Sequence, residues 1–246
     1  MNHPSTRQIF FAELVGTMFI VLFGNGVNAM FVMFNLGGYT NITFGWGLGV
    51  FLGILVSSRI SGAHLNPAVT IALMLTKRFP AKKVPLYVTA QMLGGFLGAL
   101  FVYIFYYAKF KEFDPTLSHT AGIFATFPAI TNSFMPGFLA EIIATAILMF
   151  AILAIVDNFT HEKVAAFIPF AVSALIVGIG MSFGAMHGYA MNPARDLSPR
   201  LLTAILGFKN NGLTDGSWIW VAPVLGSIIG APIGALLYDM LIIRKG

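Results

Sequence analysis

The chain of 246 residues contains no cysteine, which excludes disulfides, thiolate nucleophiles and Cys-ligated metal. Charge is scarce as well. Asp, Glu, Lys and Arg make up 9% of the residues, against roughly 25% in an ordinary soluble domain. With 57% hydrophobic residues, that deficit excludes a soluble fold and points to an integral membrane protein. His3, His119 and His161 are scattered without ligand spacing, so no metal site is expected. No nucleophile, base and orienting group stand together, so neither an enzyme nor a cofactor is expected.

The formal net charge of +5 is not a nucleic-acid footprint, because the basic residues are dispersed. They form short clusters at the ends of apolar stretches: Lys77-Arg78, Lys82-Lys83 and Arg244-Lys245. Such flanks face a cytoplasmic leaflet. The polar first residues, with Arg7 and no small-residue cleavage site after them, read as a cytoplasmic tail before an uncleaved span.

Crossing a hydrocarbon core takes about 20 apolar residues. Six stretches meet this, at about 9–34, 42–58, 84–107, 135–156, 165–186 and 218–243. Two further apolar pieces, about 66–76 and 192–206, are too short to cross and read as re-entrant half-helices. An even number of spans puts both termini on one side. Placing them inside leaves Arg7, Arg59, Lys77, Arg78, Lys82, Lys83, Lys163, Arg244 and Lys245 in the cytoplasm. Lys109, Lys111, Arg195, Arg200 and Lys209 fall outside, and the excess favours this orientation in a cell membrane. The connection over about 108–134 reads as a loop without chemistry of its own.

Each short piece opens with the same triplet, Asn66-Pro67-Ala68 and Asn192-Pro193-Ala194, four residues after a glycine (Gly62, Gly188). Asn is a favoured helix N-cap and Pro fits the first helical position. The triplets are separated by 126 residues, and Ala12-Glu13-Leu14-Val15-Gly16-Thr17 is echoed 128 residues later by Ala140-Glu141-Ile142-Ile143-Ala144-Thr145. Near-equal offsets indicate a duplication within one channel domain, with repeats at about 9–107 and 135–243. Three spans per repeat is an odd number, so the copies are inverted and their triplets meet at the midplane.

These residues resemble the major intrinsic protein family, the aquaporins and aquaglyceroporins, over nearly the whole chain. The strongest segments are Ser61-Gly62-Ala63-His64-Leu65-Asn66-Pro67-Ala68-Val69-Thr70 and Gly188-Tyr189-Ala190-Met191-Asn192-Pro193-Ala194-Arg195-Asp196. Asp196 directly after Arg195, with Arg200 four residues on, is similar to the glycerol-conducting branch. Ser227-Ile228, where many glycerol facilitators have a proline, departs from it. The resemblance implies an all-α, aquaporin-like fold forming homotetramers with one pore per subunit.

In such a pore the amides of Asn66 and Asn192, with two positive helix ends, would offer donors to a hydroxyl and repel cations. The alternative is that both are caps only. Unpaired carbonyls before each half-helix, at Gly62, Ala63, His64, Leu65, Ala190 and Met191, would form a ladder of acceptors facing an apolar wall. That arrangement suits a polyol. The family's narrowest point maps to Trp46, Gly180, Tyr189 and Arg195: an aromatic corner, a fixed cation, and a glycine that keeps the opening wide. Trp46 could instead be an interfacial aromatic and Gly180 a packing residue. Tyr189 stands where many bacterial facilitators have Phe.

Glu13 and Glu141 are intramembrane carboxylates, and their symmetric placement suggests struts for the re-entrant loops rather than proton coupling. Asp196 is expected to pair with backbone or Arg200, and His64 to contribute its carbonyl to the ladder and its ring to packing. His187 stands where the family often has Thr or Ser; it reads as packing or as a pH-responsive element near the filter. The function implied is a passive channel for glycerol and similar small neutral solutes, with some water flux. A channel mainly for water or another neutral solute, and a coupled secondary transporter, are the alternatives.

Overall fold

Residues 4–243 are described by a computed structural model, apart from the side chains of Glu162 and Lys163. His3 and the pair Arg244-Lys245 lie outside the described residues. Open backbone groups are not tolerated in hydrocarbon, and among the described residues every regular element is helical. The helices are α1 (Thr6–Phe34), α2 (Tyr39–Ser61), α3 (Pro67–Leu75), α4 (Val84–Phe105), α5 (Tyr107–Phe113) and α6 (Phe134–Asn158). After them come α7 (Glu162–Ala165), α8 (Ile168–Phe183), α9 (Pro193–Ile205) and α10 (Val221–Tyr238), the last continued by a wider turn over Asp239–Ile243.

The starts and stops follow local chemistry. Ser5 and Gln8 form a reciprocal capping box ahead of α1. Helix α2 stops on Gly62, at φ 85°. Helices α1, α2, α4, α6 and α10 with its extension are long and apolar enough to span. The expected fifth span is shorter than predicted: α8 has 16 residues, about 24 Å of helix. Pro169 occupies its first turn, where the missing N–H has no partner to lose, and α7 and a turn carry the chain before it. The half-helices α3 and α9 fall where the triplets put them.

Two pairs of long helices approach closely at glycines. Gly94 and Gly98 of α4 lie against the carbonyls of Leu14 and Met18 in α1, and Gly230 and Gly234 of α10 against those of Ile142 and Ala146 in α6. A Cβ at any of them would run into backbone, so these seams set the bundle. The outward face is apolar, with Phe105, Phe170, Ile205 and Leu241 exposed as a lipid-facing surface requires.

Between α5 and α6, Asp114 accepts from the N–H groups of Ser118, His119 and Thr120 and from the Thr120 hydroxyl, at 2.8–3.1 Å. Burial pushes its carboxyl up, but the donors together outweigh this and hold it below the usual range. A depressed native pKa stabilises the fold above the ordinary Asp value and is lost as pH falls through the native one. Asp114→Ala is therefore expected to lower the melting temperature of the purified protein by a few degrees at neutral pH. The gap to wild type should close near pH 3 (about the lower end of carboxyl titration). A gap that persists there would mean the loop is held by packing.

Candidate functional site

Helices α3 and α9 begin inside the protein, where their capping residues meet. Each Asn uses both ends of its amide. The oxygens cap the helices: Asn66 Oδ1 accepts from Ala68 N at 2.9 Å, and Asn192 Oδ1 accepts from Ala194 N at 2.9 Å and Arg195 N at 3.3 Å. The nitrogens reach across, Asn66 Nδ2 donating to the Met191 carbonyl at 2.8 Å and Asn192 Nδ2 to the Leu65 carbonyl at 2.9 Å. An amide nitrogen has two N–H groups, so one on each remains for a third partner. Capping and donating are thus compatible.

The segments leading into the two caps share one unusual backbone pattern. Gly62, Ala63 and Leu65 have φ of 85°, 54° and 52°, and Gly188, Tyr189 and Met191 have 86°, 41° and 51°. Left-handed backbone at a residue other than glycine costs about 1 kcal/mol or more, so something must hold it. Glu13 accepts from His64 N at 3.0 Å, Leu65 N at 2.8 Å, Ser61 Oγ at 2.5 Å and Gln91 Nε2 at 2.7 Å. Glu141 accepts from Ala190 N and Met191 N, both at 2.9 Å. Each carboxylate is spent on the amides of one bent segment, and neither lines either of the two cavities at this site.

All six residues of the expected carbonyl ladder line a cavity of about 740 Å³, together with Asn66 and Asn192. Aliphatic side chains, among them Ile20, Val50, Ile54, Leu148, Val172 and Ile176, make up much of the rest of its wall, which also includes Ser58, Arg59, Arg78 and Asp157. A second cavity of about 280 Å³ lies beyond it. Trp46, Tyr189 and Arg195 line both, so they form the neck between them. The Arg195 guanidinium sits 3.8 Å from the Trp46 ring centroid, a close cation–π contact. Arg195 Nη1 and the Tyr189 hydroxyl are buried without a hydrogen-bond partner among the described residues. Buried donors of this kind call for water or a passing acceptor.

Gly180 stands apart from the other three. It lines neither cavity, and a Cβ there would lie 2.9 Å from both Tyr189 Cζ and Thr43 Cγ2. Its bareness seats the Tyr189 ring rather than widening the neck directly.

Beside the neck, Asp196 accepts from Thr126 N and Oγ1, both at 2.8 Å, and pairs with Arg200 Nε at 2.5 Å. Arg200 also donates to the carbonyls of Asn211 and Thr126 and lies over the Phe127 ring. The connection over 108–134 is therefore more than a link, since Thr126 and Phe127 belong to the wall of the smaller cavity. His64 has Nδ1 3.1 Å from Thr70 Oγ1 and packs between Phe79 and Tyr87. His187 is buried against Gly137, with Nδ1 3.4 Å from both Thr126 Oγ1 and Glu141 Oε1.

Three contributors are not singled out by the sequence. Gln91 completes the Glu13 shell, and Asn28 accepts from Trp46 Nε1 at 3.4 Å while donating to the Ile123 carbonyl at 3.0 Å. An amide inside an apolar span was the available signal for both, because it needs a partner there. Thr126 gave none, lying in a loop that contains several Thr and Ser.

Membrane-length helices around a passage, with Glu13 and Glu141 occupied as braces, define a transport protein of the channel type. The chain belongs to the major intrinsic protein family, whose model matches residues 1–238. It is 41% identical over 234 residues to the glycerol uptake facilitator protein of Bacillus subtilis, covering 94% of this chain and 83% of that one. It is 42% identical over 238 residues to the probable glycerol uptake facilitator protein of Thermotoga maritima, covering 95% and 99%. The X-ray structure of the aquaglyceroporin from Plasmodium falciparum superposes with a TM-score of 0.86 at 33% identity, covering 97% of each chain. The protein is thus a multi-pass integral membrane channel.

Proposed function

We propose that the protein conducts glycerol and similar small uncharged solutes passively, with some water, while excluding ions and protons. The observation that carries this is the neck. A guanidinium stacked on an indole, with one free donor beside a free tyrosine hydroxyl, gives a hydroxyl-bearing carbon chain both a polar and an apolar contact. Behind it, peptide carbonyls face aliphatic side chains, and the spare N–H groups of Asn66 and Asn192 point donors at the centre. Positive charge at Arg195 and two helix N-termini opposes cations. Glycerol is also the solute in the names of the bacterial relatives. Coupled transport would need a free titratable group in the passage, whereas Glu13 and Glu141 are bound to loop amides, and of the groups lining the larger cavity His64 is held to Thr70 and Asp157 is hydrogen-bonded to Tyr238. Both termini on the cytoplasmic side and a homotetramer, the latter from family resemblance, complete the proposal.

Stopped-flow light scattering on proteoliposomes tests it. Glycerol entry should rise linearly with concentration through the millimolar range and ignore a pH gradient, with ionic solutes excluded. Saturation together with gradient-driven accumulation would overturn the channel reading.

A further inference from the structure

The two carboxylate braces are not built alike. The backbone pattern repeats at an interval of 126 residues, so His187 stands where Ser61 stands in the first segment. Ser61 Oγ donates to Glu13 at 2.5 Å, whereas the His187 ring presents Nδ1 to Glu141 at 3.4 Å. The partner helix compensates for the larger ring. At the interval of 128 that relates Glu13 to Glu141, Ile9 is replaced by Gly137. A Cβ at Gly137 would collide with His187 Cδ2. The positions that hold Ile9 and Ser61 in the first repeat hold Gly137 and His187 in the second, and the imidazole has a seat shaped for it. The fourth donor of the first brace is missing. Helices α4 and α10 meet their partners at Gly94 and Gly230, so Gln91 corresponds to Ser227, whose hydroxyl is turned to the Pro223 carbonyl.

The surroundings assign the proton on the ring. Thr126 Oγ1 gives its hydrogen to Asp196 Oδ2 at 2.8 Å, so toward His187 it offers only lone pairs. Glu141 Oε1 is an acceptor too, and Nδ1 therefore carries hydrogen, shared between two acceptors at 3.4 Å. A second proton has only Nε2 to go to. The charged groups around the ring are Glu141 from α6, in contact with it, and Asp196 and Arg200 from α9, both bonded to Thr126, while Arg195 of α9 interacts electrostatically with Glu141. Charge on the imidazole strengthens the bond from Nδ1 to Glu141 Oε1. That same oxygen holds Ala190 N at 2.9 Å, next to Tyr189 of the neck.

We propose that His187 is a positioning residue that makes the outer half of the passage sensitive to pH: protonation draws Glu141 away from the Ala190 amide and lets Tyr189 close on the neck. In the first segment Ser61 and Gln91 brace the carboxylate, and the His64 ring is turned to Thr70 instead of to Glu13.

The inference goes beyond the solute assignment, and its test is read on water as well as glycerol. Wild type, His187→Ser and His187→Gln are reconstituted, and osmotic water flux and glycerol flux are measured from pH 8 to pH 5, equal on both sides. Wild-type flux should fall about threefold on acidification, with both variants flat across that range and within about twofold of wild type at pH 8. A flat wild-type profile, or variants that keep the wild-type profile, would overturn the proposal. If glycerol fails to permeate, the solute assignment falls while the water profile still decides this one. Should His187→Ser fold poorly, His187→Gln, which keeps an N–H donor, carries the comparison.

Discussion

Glu13→Gln should yield little folded channel, although it changes a single atom. The carboxylate of Glu13 accepts four donors, two on each oxygen: Ser61 Oγ and His64 N on one, Leu65 N and Gln91 Nε2 on the other. An amide keeps one oxygen and turns the other into a donor that faces one backbone N–H and one side chain, Ser61 or Gln91, able to turn and accept. One buried backbone N–H then loses its acceptor, and the charge that strengthened the other three bonds is gone. At about 1–3 kcal/mol for the orphaned group and about 1 kcal/mol for each weakened bond, the loss is about 4–6 kcal/mol. A typical domain has about 5–15 kcal/mol in all. The measurement is the monodisperse fraction on size-exclusion chromatography in detergent, with flux per folded protein from the fraction that survives. Yield should collapse while the glycerol-to-water ratio of the survivors stays near wild type. Full yield with altered selectivity or proton coupling would mean that the carboxylate acts in transport.

Gly180→His should have the largest effect on transport itself. The first atom of any side chain at 180 would stand 2.9 Å from the Tyr189 ring and from the Thr43 methyl. Thr43 is fully buried and bonded to the Thr40 carbonyl, so the ring is what yields. It is displaced toward Arg195 and Trp46, into the neck. Glycerol flux should drop by tenfold or more, equivalent to about 1.4 kcal/mol or more of added barrier. Water, with a smaller cross-section, should lose less. Gly180→Ala should show the same direction with a smaller drop. A glycerol-to-water ratio unchanged in both variants would remove Tyr189 from the neck.

The sequence exposed the architecture because membranes simplify the problem. Apolar length identifies the long helices, and a capping Asn followed by Pro identifies the half-helices even where they interrupt a hydrophobic stretch. Repeat offsets then paired Glu13 with Glu141 and Asn66 with Asn192 without a coordinate. What the offsets could not give was the direction of each bond. That each Asn donates to the residue preceding its counterpart depends on two loops coming within 3 Å, a tertiary fact. Gly180 shows a second limit: a missing side chain reads as open space, and only packing reveals that a neighbouring ring occupies it. The α8 boundary failed for a local reason, because hydropathy is blind to Pro169. Thr126 was illegible altogether, since a loop threonine gains meaning only from what folds onto it.

The reciprocal bonds between Asn66 and Met191, and between Asn192 and Leu65, also carry a consequence for biosynthesis. Neither bond can form until the ribosome has passed residue 192, by which time the first four long apolar helices of the chain have already been made. Until then the Asn66 amide nitrogen and the Leu65 carbonyl lack these partners, at a depth where water is scarce. The early chain must shelter them beneath α1 and α4, where Glu13 and Gln91 already wait, or keep the first loop near the bilayer surface. Closing the passage is thus the final event of assembly, and a nascent chain stalled before residue 192 is not yet a channel.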